Sequence, residues 1–345
     1  MQLKWITYAM AFVVAVWMVG PAGADANDPP PDLAAARQAF EENLALGDSL
    51  GGRPAAQEQV DEAERLYEAA IGGARAYLLT HAREAEPHWL SGMILCGSYR
   101  PVKVPKENAD DSDQMITTLA RGCVSGCEEG LAEFRSALRL DNSNSNCLLD
   151  YAEAMLRCDD VTGCHQQCTS IWETKSKLSK PQIARCACLL AGCARSDDRP
   201  IEEIRWLKEA LQFNSADANS TERLCQLLSE QPGISWLSYE VGRAVAVHAN
   251  KLMVVHFTTD WCGWCRKLEQ ETYPNAVVVA RLNKCVCVKV NGDRRRDLTL
   301  KYDVKGYPTT LVLHPSGHVL RTIVGYWPAD AYAAELDKAL KFAIE

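Results

Sequence analysis

The motif Trp261-Cys262-Gly263-Trp264-Cys265 constrains this chain more than any other stretch. The apolar run 252–257 before it is typical of a buried strand, and the polar stretch from Arg266 is typical of the first turns of a helix. At such a strand-to-helix junction, unpaired backbone N–H groups and the positive end of the helix dipole favour a thiolate. Because the thiolate is the reactive form of cysteine, this placement activates Cys262 as a nucleophile. Cys265 follows one turn later and is within reach to resolve a mixed disulfide.

Two cysteines separated by two residues are ambiguous by themselves, since they also suit half of a zinc site or a structural pair. No second pair of this kind lies nearby to complete a metal site. Further along, Gly306-Tyr307-Pro308-Thr309 opens a strand-like run that ends at Leu313. The order of strand, Trp-Cys-x-x-Cys, helix, second strand and x-Pro-Thr resembles the thioredoxin family over about residues 234–345. The resemblance is strongest to members that act in thiol–disulfide interchange.

This resemblance implies roles for the residues of the two motifs. Cys262 would attack, Cys265 would resolve, and the two would form a redox-active disulfide. Pro308 would be the family's cis-proline that faces the dithiol, and the backbone at Tyr307 would pair with an extended substrate segment. No cofactor and no metal are expected.

The other motif residues and two core positions support this assignment. Trp261 and Trp264, on either side of Gly263, would form an apolar rim for a substrate, although ordinary packing is the alternative, especially for Trp261. Many family members have a buried Asp on the central strand where this chain has His256, and the family's neighbouring Lys matches Lys289. A neutral histidine could accept the proton of the resolving cysteine near physiological pH. The alternative is a core histidine with one satisfied nitrogen.

The rest of the C-terminal segment alternates strands with helices, which predicts a mixed sheet covered on both faces. We expect strands at 234–236, 251–258, 284–291, 309–314 and 319–325, and helices at 238–250, 295–302 and 329–342, with the motif helix running toward 282. Cys285 and Cys287 alternate along one strand and are interpreted as core residues rather than a second redox pair.

The N-terminal region has apolar residues at helical spacing from about Leu33 to Gln231, which predicts an all-α domain over 33–231. Phe134 and Leu207 each stand three residues before an alanine in similar phrases. This resembles the second helix of a tetratricopeptide repeat, and the polar stretch 100–113 is expected to be an insertion between units. Such arrays commonly bind a peptide or a protein on a concave surface. A passive spacer and an intramolecular clamp are the alternatives.

Eleven of the fifteen cysteines fall in this helical region. Three interpretations compete: disulfides that join helical hairpins, small buried packing residues, and zinc held by two C-x3-C pairs with His165. The sequence does not define a connectivity.

The high cysteine content favours an oxidising compartment. Lys4, an apolar run to Gly20 and Ala22-Gly23-Ala24 predict a signal peptide over 1–24 followed by a linker over 25–32. Cleavage is expected after Ala24, with Ala26 as the next best site and an uncleaved anchor as the alternative. The net charge of −8, without a long basic run, argues against nucleic acid as a partner.

Together these patterns predict a tetratricopeptide-like helical domain followed by an α/β thioredoxin fold at 234–345. The expected protein is an exported thiol–disulfide oxidoreductase, periplasmic or secreted, in which the helical region binds a protein. Its partners would be protein thiols and disulfides and an upstream electron donor or acceptor. The alternative is a non-enzymatic scaffold with a structural thioredoxin-like domain. A cysteine of the helical region could also be an internal substrate of Cys262.

Overall fold

The computed structural model describes residues 31–105, 115–121, 127–231 and 233–341. Its contacts divide the chain into two compact units between Asp198 and Arg199. The predicted signal peptide and most of the predicted linker lie outside the described residues. Within the described ranges, no helix is both long enough and apolar enough to cross a membrane.

The N-terminal unit is largely helical, and it also contains a two-stranded antiparallel hairpin. Its elements are α1 (Pro31–Leu50), α2 (Gln57–His81), α3 (Ala85–Gly97), β1 (Tyr99–Pro105), β2 (Met115–Arg121), α4 (Cys127–Leu140), α5 (Ser145–Arg157), α6 (Val161–Glu173) and α7 (Lys180–Ser196). The polar stretch expected as an insertion therefore begins as a strand, and the expectation of an all-α domain is wrong at this point.

A buried side chain explains why the chain becomes extended at Tyr99. Asn43 on α1 is fully buried, and its side-chain oxygen accepts from the Tyr99 N–H at 2.7 Å while its amide donates to the Tyr99 carbonyl at 3.1 Å. The Tyr99 hydroxyl donates to Asp48 at 2.6 Å. The Asn43 amide thus satisfies both backbone groups of Tyr99, as a neighbouring strand would.

The ring of Tyr99 packs directly on Gly47, and this contact gives a stability prediction. A Cβ at Gly47 would lie 2.0 Å from the ring, which is fully buried. We expect Gly47→Ala to destabilise the protein by about 2–3 kcal/mol through overpacking. Gly72→Ala on α2 is the matched control, because its Cβ would meet nothing within 4 Å and should stabilise the helix by about 1 kcal/mol. Urea unfolding of both variants measures the difference, and equal stability of the two would contradict the contact.

Helices α5, α6 and α7 confirm the predicted helical pattern, and they begin two to four residues before the starts that the sequence predicts at 147, 165 and 183. Side chains that cap helix N-termini explain the earlier starts of α5 and α6. Asn144 accepts backbone N–H groups at the start of α5, and Asp160 accepts the Gly163 N–H at 2.8 Å at the start of α6. Adjacent helices α5, α6 and α7 pack against one another. The tetratricopeptide assignment itself stays a prediction.

The second unit begins with two helices that the sequence assigned to the repeat domain. It comprises α8 (Pro200–Phe213), α9 (Ala218–Glu230), α10 (Tyr239–His248), β3 (Met253–Thr258), α11 (Gly263–Lys267) with a π-helical turn (Leu268–Thr272), α12 (Ala276–Leu282), β4 (Val286–Asn291), α13 (Arg296–Lys301), β5 (Thr309–Leu313), β6 (Val319–Val324) and α14 (Ala329–Leu340). Helices α8 and α9 contact α10. The division near residue 232 stays a prediction, while the contacts group α8 and α9 with the C-terminal unit.

The sheet of this unit is mixed, as predicted, with strand order β4-β3-β5-β6. Strand β3 pairs with β4 in parallel and with β5 antiparallel, and β6 pairs antiparallel with β5. The prediction of a strand at 234–236 is wrong, because backbone pairing next to this segment is limited to one bridge between Leu237 and Val288. Trp236 instead packs its ring at a tilt against that of Tyr273, with centroids 5.0 Å apart.

Cys287 on β4 and Cys285 just before this strand belong to the core, as predicted. Cys287 is buried within the main apolar cluster, and Cys285 packs against that cluster. Burial raises the pKa of Cys285 to about 11 and raises that of Cys287 as well. Both thiols are therefore poor nucleophiles at neutral pH.

Candidate active site

Strand β3 positions the cysteine motif at the start of α11. The strand ends at Thr258 and the helix begins at Gly263, so Cys262 occupies the N-cap position. Its sulfur accepts the backbone N–H of Cys265 at 3.1 Å. Cys262 and Cys265 form a disulfide with an S–S distance of 1.95 Å. The N-terminal end of the helix thus directs a backbone donor at Cys262, which favours its thiolate in the reduced state.

Two exposed indole rings flank this nearly buried disulfide. Cys262 is 4% exposed and Cys265 is 1% exposed, whereas Trp261 and Trp264 are 67% and 60% exposed. The interpretation of Trp261 as an ordinary packing residue is therefore wrong. Its indole N–H donates to Asp293 at 2.9 Å, which fixes the ring at the surface beside the motif. Large exposed aromatic rings around a reactive group are typical of a contact surface for another chain.

The loop that precedes β5 contributes the other side of the site. The peptide bond between Tyr307 and Pro308 is cis, the isomer that the resemblance implies. The Tyr307 ring meets that of Trp261 edge to face, with centroids 5.9 Å apart. A Cβ at Gly292 would lie 2.1 Å from the Tyr307 hydroxyl, so only glycine at 292 leaves room for that side chain. The structure thus places Tyr307 against Trp261 of the cysteine motif, while the roles of Tyr307 and Pro308 toward a substrate stay predictions.

A second aromatic contact, between Trp264 and Tyr326, was missed from the sequence. The rings of Trp264 and Tyr326 are 5.8 Å apart, and the Lys267 ammonium lies 4.7 Å from the centroid of Tyr326. The Tyr326 hydroxyl donates to Glu271 at 2.7 Å. Trp264 therefore packs against Tyr326, whose own position is held by Lys267 and Glu271.

His256 lies fully buried on β3 below the motif helix. Its Nε2 is 3.5 Å from Oε1 of Glu269, and the Lys289 ammonium is 2.7 Å from the same oxygen. Neither ring nitrogen has a hydrogen-bond partner of good geometry within the described part of the chain. The interpretation of His256 as a core histidine with one satisfied nitrogen stays a prediction, with Nε2 facing the Glu269 carboxylate. A buried polar group of this kind calls for a functional or structural explanation.

The charges around His256 set its protonation state. Burial lowers the pKa of His256 below its ordinary value, and the facing Glu269 carboxylate opposes this shift. The His256 imidazole, and to a smaller extent the Lys289 ammonium, lower the pKa of Glu269 to about 2. At neutral pH the site therefore holds a neutral imidazole beside an ion pair of Glu269 and Lys289. A neutral imidazole can donate through Nε2 to the carboxylate and keep Nδ1 as a base.

Sequence analysis did not identify Glu269. It stands four residues after Cys265, so both side chains lie on one face of the same helical segment. The i, i+4 spacing could have indicated this position, although Glu271 and Gln270 beside it offered equal candidates by composition.

The described residues contain no group of three or more His, Cys, Asp or Glu side chains placed to hold a metal ion. A cavity of about 220 Å³ in this unit is lined by residues such as Arg243, Lys301 and His318, and not by the dithiol. Trp261 and Trp264 of the cysteine motif are instead exposed at the surface, which suits a macromolecular substrate better than an enclosed small molecule.

Comparison with known proteins agrees with this geometry. Residues 242–338 match the family model described as Thioredoxin. The chain is 32% identical over 96 residues to a protein disulfide-isomerase from Ricinus communis, covering 27% of this chain and 19% of that protein. It is 28% identical over 96 residues to a thioredoxin from Alicyclobacillus acidocaldarius, covering 28% of this chain and 89% of that protein.

Among solved structures, a DsbH oxidoreductase is 21% identical, with a TM-score of 0.30, and the match covers 32% of this chain and 90% of that one. The chain spans only about a fifth of the length of the first disulfide-isomerase relatives that it matches. The family-model match falls within the C-terminal unit, which also carries the Cys262–Cys265 disulfide and the cis Tyr307–Pro308 bond. The C-terminal unit of this chain thus contains a thioredoxin domain at residues 242–338.

Proposed function

We propose that this protein is an exported thiol–disulfide oxidoreductase that acts on disulfides of other proteins as a reductase or isomerase. The observation that carries the proposal is the Cys262–Cys265 disulfide at a helix N-terminus, between exposed Trp261 and Trp264, in a thioredoxin domain. Relatives named as disulfide-isomerases and thioredoxins support the reaction class. Export rests on the leader-like sequence pattern and on the cysteine content.

The reaction runs through two exchanges of sulfur bonds. In the reduced protein, the Cys262 thiolate attacks a substrate S–S bond, and one substrate sulfur leaves as a thiolate. Cys265 then loses its proton and attacks the Cys262 sulfur, which releases the second substrate sulfur. Two electrons pass from the dithiol to the substrate, and an upstream dithiol donor restores the reduced pair.

We assign the proton of Cys265 to His256 in the second exchange. The imidazole is neutral at pH 7, is buried, and contacts Glu269, which lies one helical turn beyond Cys265. A base in this position accepts the proton directly or through one water as the thiolate forms. Glu269 and Lys289 act as positioning residues, because they hold the ring and balance its charge.

The substrate is expected to lie across the exposed aromatic surface. Trp261 and Trp264 offer apolar faces on both sides of the disulfide, and the backbone at Tyr307 stands beside them. An extended chain could hydrogen-bond to that backbone while its side chains contact the indoles. The helical unit would supply a second contact to the same partner, which is a proposal from its predicted repeats.

A redox titration tests the proposed function. The protein is equilibrated in thiol–disulfide buffers, alkylated, digested, and analysed by mass spectrometry for Cys262 and Cys265. A reversible two-electron transition between about −120 and −270 mV is expected, the span of known exchange proteins. A pair that stays oxidised below about −300 mV would identify a structural disulfide and support the scaffold alternative. Cys287 is the internal control, because this buried core thiol should keep its alkylation state throughout.

A further inference from the structure

Four fully buried cysteines meet between two helices of the N-terminal unit. Cys164 and Cys168 lie on α6, Cys186 and Cys193 lie on α7, and each has a relative exposure of 0%. The helices pack against each other, joined by a short connection. All four are thiols in this structure. They form a sulfur cluster separate from the Cys262 site.

The contacts within this cluster run in a row. The Cys164 side chain lies next to those of Cys168 and Cys193, and the Cys168 side chain lies next to that of Cys186. The Cys186 thiol also donates to the Cys168 carbonyl at 3.4 Å. The first cysteine of α6 thus meets the last of α7, and the second of α6 meets the first of α7. This is the order that two antiparallel helices produce.

Helix geometry decides which sulfurs can bond. Cβ atoms four residues apart on one helix are about 5–6 Å apart, whereas a disulfide needs about 3.5–4.5 Å. A bond between Cys164 and Cys168 would therefore distort α6. The contacts across the two helices carry no such constraint. The Cys168 thiol, and then that of Cys193, hydrogen-bond to Cys164 and lower its pKa, which favours Cys164 as the attacking sulfur.

Two other interpretations of the cluster fit the structure less well. A metal centre is not supported, since the described residues hold no group of ligands placed for one. Ordinary packing explains a small buried residue at any one of these positions. It does not explain sulfur at all four members of one continuous row, because alanine or valine fills such space equally well.

We propose that two nested disulfides, Cys164–Cys193 and Cys168–Cys186, join α6 to α7 in the oxidised protein. Each forms when two thiols lose two protons and two electrons as their S–S bond is made. A disulfide oxidant such as oxidised glutathione accepts them as its own S–S bond breaks. The inner bond closes a loop of 18 positions and fixes the turn between the helices. Because the sulfurs are buried, exchange with solvent requires the hairpin to open.

Mass mapping of the full chain tests this proposal. The protein is unfolded and refolded with oxidised and reduced glutathione, alkylated under denaturing conditions, and digested with trypsin without reduction. Trypsin releases residues 158–175 and 186–195 as separate peptides. We expect these two peptides to be linked, with the loss of four alkylatable thiols compared with the reduced chain. Full alkylation of both peptides after oxidation would overturn the proposal, and this measurement needs no variant.

Paired substitutions then establish the connectivity. Cys168→Ala with Cys186→Ala leaves the outer pair, and the two peptides should remain linked. Cys164→Ala with Cys186→Ala leaves Cys168 and Cys193, which are not partners, and the link should disappear. Linkage in the second variant but not in the first would overturn the assignment. Circular dichroism of each variant before oxidation verifies that α6 and α7 are still formed.

The same two peptides also contain Cys158 and Cys188, which require a matched control. Cys158→Ala with Cys188→Ala should leave the linkage unchanged, because neither belongs to the row of four. Loss of the linkage in this variant would assign the bond to these two residues and contradict the proposal.

Discussion

Cys262→Ser should reduce the rate of insulin-disulfide reduction to background, a loss on the order of 10³-fold or more for a catalytic nucleophile. The reason is chemical: a serine hydroxyl stays protonated near neutral pH and forms no mixed disulfide. Cys265→Ser should instead form the mixed disulfide with a substrate and fail to resolve it. Non-reducing electrophoresis of this variant should therefore show a covalent adduct that dithiothreitol releases.

A control in the same domain makes this result specific. Cys285→Ser removes a thiol whose pKa is raised to about 11 by burial, at the edge of the core. It should retain the activity of the parent protein. Activity that survives in Cys262→Ser, or disappears in Cys285→Ser, would contradict the assignment of the nucleophile.

Much of the fold could be predicted from local patterns. The strands β3, β4 and β5 are short apolar runs bounded by polar residues, and the helices repeat their apolar positions with helical period. The position of the cysteine motif at a helix start follows from the same local rules. Helix starts were less accurate, since they depend on caps such as Asn144 and Asp160, whose side chains accept backbone N–H groups.

Features that depend on distant partners could not be predicted. Tyr99 becomes extended because Asn43 and Asp48, 56 and 51 positions away, hold its backbone and hydroxyl. Glu269 could not be distinguished from its polar neighbours until the fold placed His256 opposite it. The same limit applies to the sulfur row, since spacing alone does not say which faces of α6 and α7 meet.

The fold also explains why a histidine suits position 256. A carboxylic acid at the position of His256 would be buried beside Glu269 and would bring two like charges together. An imidazole is neutral at that position near pH 7 and tolerates the carboxylate. The Lys289 ammonium balances the negative charge of Glu269 in an ion pair. The nearby phenol of Tyr273 adds no charge, because burial raises its pKa well above 10.

His256→Gln should slow the step in which Cys265 resolves the mixed disulfide by about 10²–10⁴-fold, the usual contribution of a general base. The measurement follows release of a coloured aromatic thiolate from its mixed disulfide with Cys262 in a stopped-flow instrument. Thermal unfolding of the variant verifies that the fold is retained. A purely structural role for His256 would change stability without changing the pH dependence of this step.

The pH dependence of this step identifies the role of His256. Burial lowers its pKa, so the ring is neutral at pH 7 and becomes protonated only as pH falls below about 6.5, the ordinary value. The rate of the resolving step in the parent protein should therefore fall as the pH drops below that value. This fall is the acid limb of the pH–rate profile, and it should be absent from His256→Gln. Glu269→Gln removes the carboxylate that favours the charged ring, so its limb should move to lower pH while the rate at pH 7 changes little. An unchanged limb in His256→Gln would contradict the proton transfer, because the titrating group would then lie elsewhere.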